Sequence, residues 1–196
     1  MEDAAVWQHI ATQRRELADL IEALDAEEPD CWSTPSLCVG WSVRDVAAHL
    51  THSTLPAPRI LFEAARSGFR FNAVVDRMAR ADRRPPARIA EALRADAESR
   101  RHPPGTSSME PLIDLLVHGQ DLCVPLGIDR AMPDDAAVAA ARRVWGMGFP
   151  FQARRHLAGM RLVATDVEFE VGEGRAHHAP IRDLLMQMTG RQAVAA

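Results

Sequence analysis

Asp114 and His118 stand four residues apart in the stretch Glu110-Pro-Leu-Ile-Asp-Leu-Leu-Val-His-Gly-Gln-Asp-Leu122, and Asp121 follows three residues later. A 3.6-residue helix sets those three side chains on one face. Leu112, Leu115, Leu116 and Leu122 give the same helix the apolar positions that hold it in a core. A carboxylate and an imidazole on a core-facing helix are either a buried hydrogen-bonded pair or two ligands of a metal. An isolated Asp-x-x-x-His is more often the pair. A second stretch, Trp41-Ser-Val-Arg-Asp-Val-Ala-Ala-His-Leu50, offers His49 as a third ligand and raises the metal reading.

Two histidines and one carboxylate fill three positions of a tetrahedron. The fourth is left for water or substrate, as in a catalytic rather than a structural zinc site. Such a metal polarises a carbonyl or lowers the pKa of a bound water or thiol to roughly 7. The donor set also suits iron(II) or nickel. Asp45 and Asp121 are acceptors for the free imidazole N–H groups, with solvated helix-face charge as the plain alternative. Cys38 has no base beside it in the sequence and reads as a structural thiol. His177 and His178 lie on a strand or turn where one of the two faces solvent, so neither is counted as a ligand. Zincin, Walker, dinucleotide and nucleophile-elbow motifs are all missing.

The elements that must position these residues are mostly helices. Residues 3–26 carry Val6, Ile10, Leu17, Leu20, Ile21 and Leu24 at helical spacing. Residues 32–40 are a loop. Ser42 and Asp45 form a capping box, with Asp in the place of Glu. The helix they open is expected to run to about Ser53, and Trp41 packs against its first turn. Helices are expected over 59–66, 72–80 and 87–101, separated by Pro56, Gly68 and Pro85-Pro86. The motif helix opens at Ser107 or Ser108, and Gly127 ends the short segment after it. Residues 134–146 and 180–189 are helical, with a further turn at 151–158. Residues 161–171 read as one extended strand, because Val167, Phe169 and Val171 alternate with acids. A second short strand covers 176–179.

Composition narrows the function classes. The chain has 196 residues and a net charge of −4, and every basic side chain apart from histidine is arginine. That balance argues against a nucleic-acid backbone as the main partner; Arg83, Arg84 and Arg88 form a local basic cluster of the kind helix surfaces carry. The odd set of three cysteines, Cys31, Cys38 and Cys123, reads as neither a disulfide framework nor a thiolate zinc site. A reduced, cytoplasmic setting is expected, with no signal-like start and no membrane span.

Three stretches carry a family resemblance. Trp32…Pro35…Cys38-Val-Gly-Trp-Ser-Val-Arg-Asp-Val-Ala-Ala-His49-Leu resembles the N-terminal signature of the mycothiol-dependent maleylpyruvate isomerase family, within the DinB-like superfamily. Asp114-Leu-Leu-Val-His118-Gly-Gln-Asp121-Leu…Pro125-Leu-Gly127 resembles its metal-binding fourth helix, and the run from Leu162 to Arg191 is similar to its C-terminal part.

The resemblance implies a mainly α fold. A DinB-like four-helix bundle (1–128) is followed by a small C-terminal α+β segment (129–196). It further implies a divalent metal, usually zinc, on His49, Asp114 and His118. The activity it implies is an isomerase or thiol transferase acting on a small electrophilic substrate, with mycothiol as the thiol cosubstrate. The alternative is a non-catalytic DinB-like metal-binding or stress-response protein. Two positions depart from the pattern. Asp114 stands where the isomerases carry Glu, and Cys123-Val124 stand where one or two arginines are expected.

Overall fold

Val6, Ile10, Leu17, Ile21 and Leu24 recur on one face of α1 (Asp3–Glu27), and all are buried. That face is the first wall of a helical bundle in the computed structural model, which describes residues 1–68 and 70–191. The chain divides into two compact units, residues 2–130 and the part from Ala131 on. In the first unit α1 is followed by α2 (Val43–His49), α3 (Ala57–Arg66), α4 (Phe71–Ala81), α5 (Pro86–Ala95) and α6 (Met109–Cys123). Helices α1, α2, α5 and α6 pack on one another as a four-helix core, with α4 against α2 and α3 against α4. The most buried of them is α6. Leu112, Leu115, Leu116 and Leu122 are all essentially inaccessible, and so are Val117 and Gln120. No helix among the described residues is long and apolar enough to cross a membrane.

Two helices stop earlier than hydrophobic spacing predicts. The α2 helix ends at His49, and a 3₁₀ turn (His52–Thr54) replaces its expected last turn. The hydroxyls of Thr51 and Thr54 donate to the carbonyls of Ala48 and Thr51. They thereby compete for the acceptors that a continuing helix needs. The α5 helix ends at Ala95 because its following carbonyls are claimed from outside. Arg14, fully buried on α1, donates from Nη1 to Asp96 O (2.8 Å), Ala97 O (3.5 Å) and Ser99 O (2.7 Å). Its Nη2 meets Ser53 Oγ at 3.5 Å. One guanidinium therefore ties α1, the end of α5 and the segment after α2 together. Burial pushes its pKa down, and the nearby Asp96 carboxylate opposes that shift.

In the second unit α7 (Asp134–Gly146) and α8 (Ala153–His156) precede β1 (Met160–Ala164), β2 (Glu170–Gly172), β3 (Arg175–Ala179) and α9 (Ile181–Met188). The sheet order is β2-β1-β3, with β2 antiparallel and β3 parallel to β1. The single strand expected over 161–171 is thus two strands folded back on each other. Thr165–Glu168 bend between them, and Ala164 N–H donates to Phe169 O at 2.9 Å. The alternation of Val167 and Phe169 with acids falls partly in that bend. Asp166 faces α9 instead, accepting the Ile181 N–H at 2.9 Å. The link from β2 to β3 passes the start of β1 at close range. A Cβ on Gly172 would lie 2.3 Å from Met160 O, and one on Gly174 2.3 Å from Gly159 O.

The Arg14 arrangement predicts a large stability effect from a residue far from any site. Arg14→Leu strips three carbonyls of a charged donor, each worth ~1–3 kcal/mol when left unmet. Urea unfolding is expected to show a loss of roughly 3 kcal/mol or more. A loss below about 1 kcal/mol would mean that water replaces the guanidinium.

Candidate metal centre

The site is built from two helices and one loop. Ser42 and Asp45 close the N-terminus of α2 as a reciprocal capping box. Ser42 Oγ accepts the Asp45 N–H (3.2 Å), while Asp45 Oδ2 accepts the Ser42 N–H (3.0 Å) and O–H (2.9 Å). The bonds to the Asp45 carboxylate are those of the cap, which fixes where α2 begins and hence where His49, its last residue, lies. On α6, Asp114 and His118 are one turn apart. One ligand atom from each of His49, Asp114 and His118 lies within 4.8 Å of the others. Ligands 2.0–2.1 Å from a zinc ion sit roughly 3.4 Å apart at a tetrahedral site. The three therefore converge on a common point with a small movement of each. Two imidazoles and a carboxylate suit a divalent metal by donor chemistry.

The ring orientation of His118 is set from its other side. Its Nδ1 lies 2.8 Å from Asp121 Oδ2, and Asp121 is fully buried. That leaves Nε2 as the nitrogen for a ligand. Burial alone would lower the His118 pKa. Hydrogen bonds to Asp121 and Cys38, with the Asp121 and Asp114 charges, outweigh burial and raise it to about 9.

The sequence did not reveal two neighbours of this site. Cys38 Sγ stands 3.0 Å from Asp121 Oδ2 and 3.6 Å from His118 Nδ1, so a base and an acid do lie beside the thiol. The spacing of 80 residues to His118 hides this contact, and only the helix–loop packing makes it. Trp41 does more than pack on the first turn of α2. Its ring stacks on His118 (6.2 Å between centroids) and meets His49 edge-on (5.3 Å), while Nε1 donates to Asp76 Oδ1 at 3.0 Å. One loop carries both residues. Ser36 Oγ accepts the Cys38 N–H and bonds to the carbonyls of Cys38 and Trp41. Leu37 N–H reaches Asp121 O on α6 at 3.3 Å.

Residues 10–105 match the model of the mycothiol maleylpyruvate isomerase N-terminal domain. Just under half of the chain is thus similar to a domain of that family. No curated protein matches the chain, and no solved structure does. Within the matched residues lie Cys38, Trp41 and His49. Asp114 and His118 follow the matched residues on α6.

The same unit holds a cavity of about 560 Å³. His52 lines it, and the His52 ring meets that of His49 edge-on at 5.7 Å. Arg59, Arg66, Arg77, Arg83 and Arg84 line it against two carboxylates, Glu63 and Asp82. Arg83 and Arg84, read from sequence as part of a helix-surface cluster, face this space. The Asp82 corner is tightly bound. Arg84 donates to both Asp82 oxygens and to Thr51 Oγ1, and Arg44 donates to the carbonyls of Asp82 and Arg84. His177 and His178 sit on β3, half-buried and exposed respectively, and belong to the other unit. None of the three cysteines is in a disulfide.

Burial would raise the Asp82 carboxyl, but pairing with His52 and hydrogen bonds from Arg84 outweigh it and hold it well below the ordinary 3.8. A depressed carboxyl contributes stability above its unfolded pKa and loses it as pH falls through the folded one. Asp82→Asn is therefore expected to be less stable than the parent at pH 7, by about 1–3 kcal/mol for a broken charged network. The gap should begin to narrow as pH drops below about 4 and close only near the folded pKa well below that, read as urea midpoints at a series of pH values from 7 down to about 2. A gap that stays constant with pH would assign the loss to packing.

Proposed function

We propose that His49, Asp114 and His118 hold one divalent metal, with zinc the first candidate. The protein then acts as a thiol-using isomerase or thiol transferase on a small electrophilic substrate, with mycothiol as the cosubstrate. The observation that carries this reading is the convergence of two imidazoles and one carboxylate from α2 and α6, in a unit that also holds a cavity large enough for a small molecule. The family of the N-terminal domain supports the choice of thiol.

A metal in this position supplies a Lewis acid and favours the thiolate, the nucleophilic form of a thiol. The chain's own residues do the rest. Asp121 holds the His118 ring with Nε2 toward the ligand point. Trp41 walls the imidazoles with an apolar face and is itself held by Asp76. The arginines of the cavity favour a substrate that carries acidic groups, through charge-assisted and bidentate contacts.

This bears on the two departures from the family pattern. Cys123 is fully buried, and burial pushes its thiol up to about 11, so the position suits packing and no charge. The arginines missing there have a counterpart in Arg83, which lines the cavity from the segment after α4. Asp114 is one methylene shorter than Glu and draws the ligand point toward α6.

Elemental analysis of the purified protein tests the first half of the proposal. About one zinc, nickel or iron per chain is expected, with loss of at least tenfold in metal affinity for His118→Ala. Mycothiol-dependent turnover tests the second half, read as thiol consumed on activated alkenes and epoxides for a transferase, or as cis–trans conversion of an activated alkene with the thiol regenerated for an isomerase. Protein that stays metal-free after reconstitution removes the enzyme reading. Metal without thiol-dependent turnover of any electrophile leaves a metal-binding bundle without catalysis.

A further inference from the structure

Cys38, His118 and Asp121 form a second tight triangle on the outer side of the same imidazole. Its atoms are 3.0 Å (Sγ to Oδ2), 3.6 Å (Sγ to Nδ1) and 2.8 Å (Nδ1 to Oδ2) apart. A tetrahedral cation with bonds of about 2.3 Å to sulfur and 2.0 Å to nitrogen or oxygen would separate sulfur from its partners by roughly 3.5 Å, and nitrogen from oxygen by roughly 3.3 Å. Two of the three edges are shorter than that and have hydrogen-bond lengths. The triangle is therefore closed by protons, not by an ion.

The donors can be assigned. A carboxylate only accepts, so both contacts to Asp121 Oδ2 come from donors: the Cys38 S–H and the His118 Nδ1–H. Asp121 has no exposure to water and needs such donors to offset its burial. Cys38 is not a thiol that has drifted into range. Its N–H is held by Ser36 Oγ, its carbonyl accepts from the Trp41 N–H at 3.0 Å, and Leu37 beside it is anchored to the α6 backbone.

We propose that Cys38 is a positioning residue of the metal centre. Its thiol donates to Asp121, fixes the carboxylate against the His118 Nδ1–H, and so aims Nε2 at the ligand point without touching the metal. This rests on the metal reading of His49, Asp114 and His118. The loop of the N-terminal domain thereby sets the orientation of a ligand on a helix outside the matched residues. A serine at this position keeps the donor, and an alanine removes it.

The test uses the full-length protein and metal alone. Zinc affinity is measured by chelator competition, and coordination by the visible and near-ultraviolet spectrum of the cobalt(II) form. The parent protein is measured first. The proposal expects Cys38→Ala to weaken zinc binding about 10–100-fold, the usual effect of losing an outer partner of a ligating histidine. Cys38→Ser is expected to recover most of that loss.

In an Asp121→Asn background, Cys38→Ala is expected to add little, because both act through one hydrogen-bonded chain. If Asp121→Asn does not fold, the Ala and Ser pair still decides. Equal affinity for the parent and Cys38→Ala overturns the inference and leaves the metal site standing. A strong near-ultraviolet thiolate–cobalt band that vanishes in Cys38→Ala also overturns it, by making Cys38 a ligand. A parent protein that binds no zinc overturns the metal reading itself, and this inference with it.

Discussion

A carboxylate that loses all contact with water must find donors inside the protein or give up its charge. Asp121 is in that position, and the centre of the helical unit is arranged around it. Two donors to it come from different parts of the chain: His118 from the same helix, and Cys38 from the loop before α2. The loop is in turn ordered by Ser36 and by the backbone contact of Leu37 with α6. Meeting one buried charge thus fixes a ring, a loop and the wall formed by Trp41. The proposed ligand point lies on the far side of that ring, with His49 and Asp114 in reach.

The same logic, with the sign reversed, operates at Arg14. There a buried cation is met by carbonyls at a helix end, and the helix end is defined by it. Neither group is a site. Each converts the cost of burying a charge into a constraint on how separate segments approach. The Asp82 corner adds a third case at the cavity rim, where Arg84 and Arg44 hold the segment after α4 against α2. These three joints between elements hold charged groups in the interior of the helical unit, while the apolar stripes of α1 and α6 fill much of the space between.

Most helices were legible from the chain because their burial is one-sided and periodic. Spacing alone placed Asp114, His118 and Asp121 on one face and singled out His49 at the end of another helix. The resemblance of two short stretches named the family that the domain match supports. The hidden part was long-range. The ends of α2 and α5 are set by hydroxyls and by a guanidinium that competes for carbonyls, and no periodicity carries that information. The role of Cys38 depends on a contact across most of the bundle sequence. The strand reading of 161–171 failed for another reason: an alternating pattern is equally satisfied by a hairpin whose bend happens to keep the period.

The sheet of the second unit has a parallel pair, β1 and β3, joined through β2 instead of through a helix. A helical crossover would have covered one face as the strands were laid down. Here the cover comes from α9, which packs on β1 and α7 and buries Leu184 and Leu185. During synthesis the strands leave the ribosome before their cover exists. Leu162 and Phe169 remain without a finished core until α9 has emerged, whereas the bundle of residues 2–130 is already complete. The two halves of the chain thus mature in sequence, and the later one becomes cooperative only at its last helix.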